Sequence, residues 1–194
     1  MYEYIQGSLT DLSPTHAIIE VGGLGYFVNI SLQTYSQLEG KTQIKLWLHQ
    51  IVREDAHLLY GFSEAREREI FRLLISVSGV GASTARLILS SLTTDEIQAA
   101  ITTENVSLIK QVKGIGLKTA QRIVVDLKDK VSLGDATVSQ ILSASNNTLK
   151  SEALSALVML GFARSAADKV IDQVLKEMGQ MPVETLIKHA LKRL

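Results

Sequence analysis

Two short segments of the chain repeat one another at a fixed distance. Leu74, Val77, Gly79, Gly81, Ala85 and Ile88 recur as Ile109, Val112, Gly114, Gly116, Ala120 and Ile123, each 35 positions later. Identity of type in strict register argues for a duplicated supersecondary unit. The fuller copy, Leu108 to Val131, reads as a short helix, a Gly-Ile-Gly turn and a second helix. Lys110, Lys113, Lys118, Arg122, Lys128 and Lys130 face only Asp126 and Asp129 there. Two glycines let the backbone turn tightly and approach a partner closely. The following helix presents free N–H groups and its positive dipole end at the same place. Lys118, Thr119 and Arg122 add charge and a hydroxyl, so the segment reads as a phosphate-binding hairpin. In the first copy Ala82-Ser83-Thr84 follows Gly79-Val80-Gly81 without a cation, leaving backbone N–H groups, hydroxyls such as that of Ser83, and Arg86. A glycine-broken helix pair with no ligand is the alternative for either hairpin. Contacts to phosphate carry no base information, so any nucleic acid would be held by shape and not by sequence.

Around this repeat the periodicity changes twice. Residues 1–62 carry alternating or continuous apolar runs at Tyr4–Leu9, His16–Val21, Tyr26–Ile30, Ile44–Val52 and His57–Phe62, separated by the turns Asp11–Pro14, Gly22–Gly25 and Glu39–Lys41. Five short strands in this length predict a closed barrel of the oligonucleotide/oligosaccharide-binding (OB) type. The glycines at 22–25 join two strands and read as a hairpin turn. Arg53-Glu54-Asp55-Ala56 links the last two strands, either as a solvated turn or as an acidic projection that repels phosphates. From Ser63, a candidate N-cap, the pattern is helical through residue 131. Thr93 with Glu96 forms a capping-box pattern, and Asn105 can cap the helix entering the second hairpin. Residues 132–148, SLGDATVSQILSASNNT, have the composition of a flexible linker. Residues 149–194 read as a three-helix bundle. Gly161 stops its first helix, Ser165 and Asp168 cap the second, and Pro182 lies near the start of the third. A small tethered bundle suits docking better than catalysis. The whole is a multidomain α+β chain.

Composition narrows the chemistry. The formal charge is zero, yet it is polarised: Lys/Arg against Asp/Glu is 3 to 6 over residues 1–62, 10 to 8 over 63–131 and 7 to 6 over 132–194. A nucleic acid would therefore be gripped at a few points. Cysteine is absent, so no disulfide framework or thiolate metal site exists, in keeping with a reducing cytoplasm. The four histidines show no ligand spacing, and no metal or cofactor is expected. Gly114-Ile115-Gly116-Leu117-Lys118-Thr119 lacks the G-x-x-x-x-G-K-[ST] spacing of an ATPase loop, and no Gly-x-Ser-x-Gly or His-Glu-x-x-His pattern occurs. No apolar run is long enough for a membrane span, and the start lacks the layout of a signal peptide.

A barrel, a doubled helix–hairpin–helix and a tethered three-helix bundle, in that order, resemble the RuvA family of Holliday-junction-binding subunits. The most specific pieces are Ile19-Glu20-Val21-Gly22-Gly23-Leu24-Gly25-Tyr26, the run Val52 to Phe62, Gly79-Val80-Gly81, Gly114 to Ala120, and Ala156 to Phe162. The resemblance implies a tetramer holding an open four-way junction on one face, with an octamer on DNA left open. It implies an acidic pin at Glu54 and Asp55. The DNA grip would comprise Gly79, Gly81, Ser83, Arg86, Lys110, Lys113, Gly114, Gly116, Lys118, Thr119 and Arg122. The last domain, of ubiquitin-associated (UBA) type, would present Leu157, Leu160 and Phe162 to the RuvB motor ATPase, which would hydrolyse ATP in place of this chain. The RuvC resolvase is a further implied partner. The implied setting is cytoplasmic recombination and repair within the SOS response. Family members often carry a lysine where this chain has Ser83 and a second basic residue where it has Leu117, which would either weaken individual arm contacts or shift the load to Lys110, Lys113 and Arg122.

Two other functions remain to be separated from this one. A helix–hairpin–helix glycosylase or nuclease needs a catalytic aspartate beyond the hairpin, whereas Asp126 falls within the following helix as a surface charge would. A single-strand adaptor needs aromatic stacking platforms, whereas Tyr4, Tyr26, Phe27, Tyr35, Trp47, Tyr60 and Phe62 read as core or subunit interface.

Overall fold

The computed structural model describes residues 2–139, 147–179 and 181–194. The chain divides into two compact units, Met1–Ser132 and Leu133–Leu194.

In the first unit β1 (Tyr4–Ser13), β2 (His16–Val21), β3 (Leu24–Asn29), β4 (Gln43–Val52) and β5 (His57–Phe62) form a closed barrel in the order β1-β2-β3-β5-β4. Alternation sends Ile5, Ala17, Ile19, Val28, Ile44, Leu46 and Leu48 inward as the core. The seam is parallel and short, pairing only Val28 with Leu59 and Asn29 with Tyr60. β1 runs through Asp11, Leu12 and Ser13, which the sequence reading assigned to a turn. A register shift between Leu9 and Asp11 lets this polar stretch keep pairing with β2. Gly22 and Gly23, at φ of 59° and 82°, make the β2–β3 hairpin turn.

One element was not anticipated. α1 (Leu32–Leu38) lies between β3 and β4, started by Ser31, whose hydroxyl accepts the Thr34 N–H. It is too short to show a periodicity of its own, and buried polar contacts hold it. Ser31 Oγ donates to Glu67 Oε1, and Thr34 Oγ1 donates to Glu67 Oε2 at 2.7 Å. All three side chains are buried. Burial pushes the Glu67 carboxyl above the usual carboxylate range, against the opposing pull of the two hydroxyls. The same cluster explains why Ser63 is not the cap expected of it: its N–H is bound by Thr34 Oγ1 at 3.1 Å, and Glu64 occupies the N-cap position without a side-chain bond.

The helices of this unit are α2 (Ala65–Ile75), α3 (Ala82–Ser91), α4 (Thr94–Thr102), α5 (Val106–Lys110) and, as far as Ser132, α6 (Leu117–Ser139). Thr93 and Glu96 form the capping box in full, and the Asn105 side chain accepts from Leu108 N–H. The helical core is continuous with β5, since Tyr60 and Phe62 pack with Phe71, Leu74, Ile88, Leu89 and Ile123 in one cluster. Residues 132–139, read as linker, continue α6 instead; once the preceding turns are formed, each added residue costs little nucleation. The remainder of that stretch through Asn146 lies outside the described residues.

The second unit packs α7 (Asn147–Met159), α8 (Arg164–Met178) and α9 (Val183–Leu191) around Ala153, Leu157, Ala167, Ile171, Val174, Leu186 and Ala190. Gly161, at φ of 99°, ends the first turn-around. Ser165 and Asp168 do not cap α8, whose N-cap is Ala163. Asp168 lies further inside the helix and pairs with Lys150 at 3.0 Å, which also meets Asp172 at 2.6 Å and so ties α7 to α8.

Candidate nucleic-acid interface

The 35-residue repeat is reproduced hydrogen bond by hydrogen bond. Val77 N–H bonds the Leu74 carbonyl (3.1 Å) as Val112 bonds Ile109 (3.2 Å), and Val80 bonds Val77 (3.0 Å) as Ile115 bonds Val112 (3.1 Å). Ala85 then bonds Gly81 (2.9 Å) as Ala120 bonds Gly116 (3.0 Å). Gly79 and Gly114 turn the chain at φ of 89° and 87°, where a side chain is strained. Buried Val77, Val80 and Ala85, with their counterparts Val112, Ile115 and Ala120, anchor each turn from below.

Gly81 and Gly116 have no such conformational need. Gly81 is extended, at φ of −85° and ψ of 168°, and neither glycine has an atom within 4 Å of where a Cβ would stand. Nothing inside the chain requires glycine there. The open space lies where α3 and α6 begin, beside their free first-turn N–H groups, and suits a partner's backbone that comes closer than a Cβ would allow.

The two hairpins share a groove. Ser78 and Gly79 of the first and Lys118, Thr119, Gln121 and Arg122 of the second line it, and Arg122 Nη1 donates to the Ser78 carbonyl at 3.4 Å. Lys110, Lys113, Lys118 and Arg122 are exposed, as are Ser83, Gly79, Gly81, Gly114 and Gly116, while Thr119 is half-buried. Ser78 and Gln121 were not anticipated; Gln121 was legible from helical spacing, standing three residues after Lys118. Lys128, counted with the hairpin cations from sequence, is bound by Glu104. That pairing holds the α4–α5 turn, where Glu104 sits at φ of 56°. Arg86 also departs from expectation, because its guanidinium turns toward the barrel: Nη1 donates to the Thr15 carbonyl at 3.0 Å and to Asn29 Oδ1 at 3.1 Å.

Glu54 and Asp55 are the exposed tip of the β4–β5 hairpin, closed by Arg53 N–H to the Ala56 carbonyl at 2.8 Å and by the Val52–His57 pair. The same compact unit thus carries a projecting acidic pair and two cationic or N–H-rich hairpins.

The comparisons with known proteins cover the whole chain. Residues 1–61 match the RuvA N terminal domain, residues 71–129 the SAM-like Helix-hairpin-helix tandem, and residues 148–194 the RuvA, C-terminal domain. The chain is 51% identical to the Holliday junction branch migration complex subunit RuvA of Bacteroides fragilis, over the full length of both. It belongs to the RuvA family. The proteins of the same name from Christiangramia forsetii (51%) and Flavobacterium psychrophilum (50%) also match over both full lengths.

Within that family frame, the second unit corrects one expectation. Leu157 has 0% of its surface exposed and belongs to the bundle core, so it is not available on this surface. Phe162 is partly buried against the same core, and its N–H bonds the Leu157 carbonyl at 3.1 Å. Leu160 is 61% exposed, and it is joined by Met159 at 89% and Val158 at 41%. The uninterrupted apolar run 156–160 hid which side faces out; only packing of α7 on α8 and α9 separates them.

Proposed function

We propose that this RuvA-family chain binds four-way DNA junctions by shape and serves as the non-ATPase subunit of a branch-migration complex, with ATP hydrolysis in a RuvB-type motor. The observation that carries the reading is the pair of open glycine positions, Gly81 and Gly116. Each stands at a helix start where an approaching phosphate meets N–H groups, and one unit also bears the acidic Glu54–Asp55 tip. Phosphates are drawn to the hairpins and repelled from the pin. An open crossover, with four arms gripped around an acidic centre, satisfies both at once; a straight duplex does not. A four-fold assembly supplies that geometry, and an octamer would enclose it from both sides. The division into barrel (1–62), helix–hairpin–helix (63–131) and motor-docking bundle (149–194) fits these roles, with Met159, Leu160 and the exposed edge of Phe162 as the docking surface.

A competition between a four-way junction and a linear duplex of matched sequence tests this reading. Junction preference is the expected result, and Glu54→Asn with Asp55→Asn should reduce it while leaving the fold intact. Each charge pair removed is worth about 1 kcal/mol at 4 Å in water and more where water is excluded. Equal affinity of the wild-type chain for both DNAs would return it to the adaptor reading, and base release from damaged duplex would revive the glycosylase reading.

The glycines provide a second test. Gly81→Ala and Gly116→Ala meet open space, so each should cost the fold no more than the modest N-cap difference, under about 1 kcal/mol. Both should nonetheless weaken junction binding several-fold. Gly114→Ala should destabilise the chain directly, by about 1 kcal/mol or more, because of its positive φ. Thermal melts and junction affinities read side by side decide it: Gly116→Ala binding as tightly as wild type would remove the close-approach argument.

A further inference from the structure

We infer that Arg86 is a positioning residue, which fixes the first hairpin relative to the acidic pin and does not bind DNA phosphate. The inference rests on the junction-binding reading above and adds to it a structural determinant of junction selectivity.

Arg86 lies one helical turn beyond Gly81, where a cation would be expected to serve the hairpin. Its half-buried side chain goes the other way, placing Nη1 between the Thr15 carbonyl (3.0 Å) and Asn29 Oδ1 (3.1 Å). The Thr15 carbonyl also accepts Ile30 N–H at 3.1 Å, so it belongs to the barrel's own bonding and is held in place. Asn29 closes the relay: its Nδ2 donates to the Leu59 carbonyl at 3.1 Å. Leu59 is on β5, three residues after Ala56 at the end of the pin loop. The seam it reinforces has only two Cα pairs, and the Asn29 side chain adds a further hydrogen bond across it. A chain of side-chain hydrogen bonds therefore runs from the helix of the first hairpin to β5, one of the two strands that flank the Glu54–Asp55 tip.

The other end of α3 is tied separately, by Leu32 N–H to Ser90 Oγ at 3.1 Å and Gln33 Nε2 to the Leu92 carbonyl at 2.8 Å. At the hairpin end Val80, Ala82 and Ala85 pack into the helical core, and Arg86 adds the directional hydrogen bonds to the barrel. Apolar packing resists sliding less than directed hydrogen bonds do, so Arg86 narrows the range of hairpin-to-pin separations beyond what the core alone sets. Junction selectivity needs that narrow range, because the arms and the crossover must be met together. Duplex binding needs only the hairpins.

Two variants approach the relay from opposite sides: Arg86→Gln on the helix and Asn29→Leu on the barrel. Both should lower the junction-over-duplex preference about tenfold, the weight of one hydrogen bond to a charged group. Duplex affinity and the slope of log K against log salt should stay at wild-type values. The chain has no cysteine, so spin labels at Asp55→Cys and Ser83→Cys, diluted with unlabelled chain, report the pin-to-hairpin distance without DNA. That distribution should be narrow in the parent and broaden in both relay variants. If Arg86 binds phosphate, Arg86→Gln lowers the salt slope by about 0.9 per lost contact while Asn29→Leu has no effect, and the inference is overturned. A distance distribution as narrow in the variants as in the parent overturns it as well. A parent without junction preference overturns the functional reading, and the selectivity role falls with it. The distance measurement still separates the two failures.

Discussion

Phe71→Ala lowers the stability of the N-terminal unit by about 3–5 kcal/mol, the range for emptying a buried aromatic site, and the barrel and the helical repeat lose structure together. Phe71 is fully buried on α2, and its ring meets those of Tyr60 (5.1 Å) and Phe62 (4.9 Å) on β5 and of His49 (5.4 Å) on β4. Tilted and edge-on contacts of this kind add about 0.5–1.5 kcal/mol each to simple burial. No other ring connects the strands to the helices so directly, among the described residues. Truncation leaves a cavity lined by side chains from both halves, which neither half can close alone. Chemical denaturation followed by Trp47, the barrel's single tryptophan, and by amide exchange in α3 and α6 gives the test. Coincident transitions at a lowered midpoint are expected. Separate transitions, or a loss below 1 kcal/mol, would show that the two halves are energetically independent.

Lys118→Ala with Arg122→Ala gives the largest loss of DNA binding, with little change in stability. Both side chains are exposed on α6, one turn apart, and both line the groove shared with Ser78 and Gly79. The first hairpin has Ser83 and no cation beside its glycines, so on the proposed junction-binding reading this pair supplies much of the positive charge that a phosphate backbone would meet. Each phosphate contact released reduces the salt dependence of log K by about 0.9 per log unit of salt on duplex DNA. The double variant should therefore lose up to about 1.8 units of slope per engaged subunit, with weaker binding at low salt than at high salt relative to wild type. A fall in affinity at constant slope would mean that these residues act by something other than neutralising phosphates, and the shared groove would lose its role.

Much of this architecture was legible because its signals are local. Strand alternation, the 35-residue repeat, the Thr93–Glu96 box, the Asn105 cap and the Gly161 stop each depend on residues a few positions apart. Backbone geometry follows from them with little help from the rest of the chain: a positive φ at Gly79 and Gly114 is a property of the turn itself. The projecting Glu54–Asp55 tip was equally open to reading, because a hairpin loop between two strands must face solvent.

What could not be read depends on partners distant in sequence. α1 exists through Ser31 and Thr34 meeting Glu67, more than 30 residues away, and that same meeting takes Ser63 out of its expected cap. Leu157 and Leu160 are alike in sequence, yet packing buries one and exposes the other. Arg86 and Lys128 looked like two more cations for a phosphate, and each is committed to a contact that only the fold creates. Apart from α1, local sequence set which elements form and where charge lies, because propensity, capping and periodicity act over one or two turns. Which of those charges remain for a partner is set by the fold, because a side chain's free energy depends on whatever long-range packing brings within hydrogen-bonding reach.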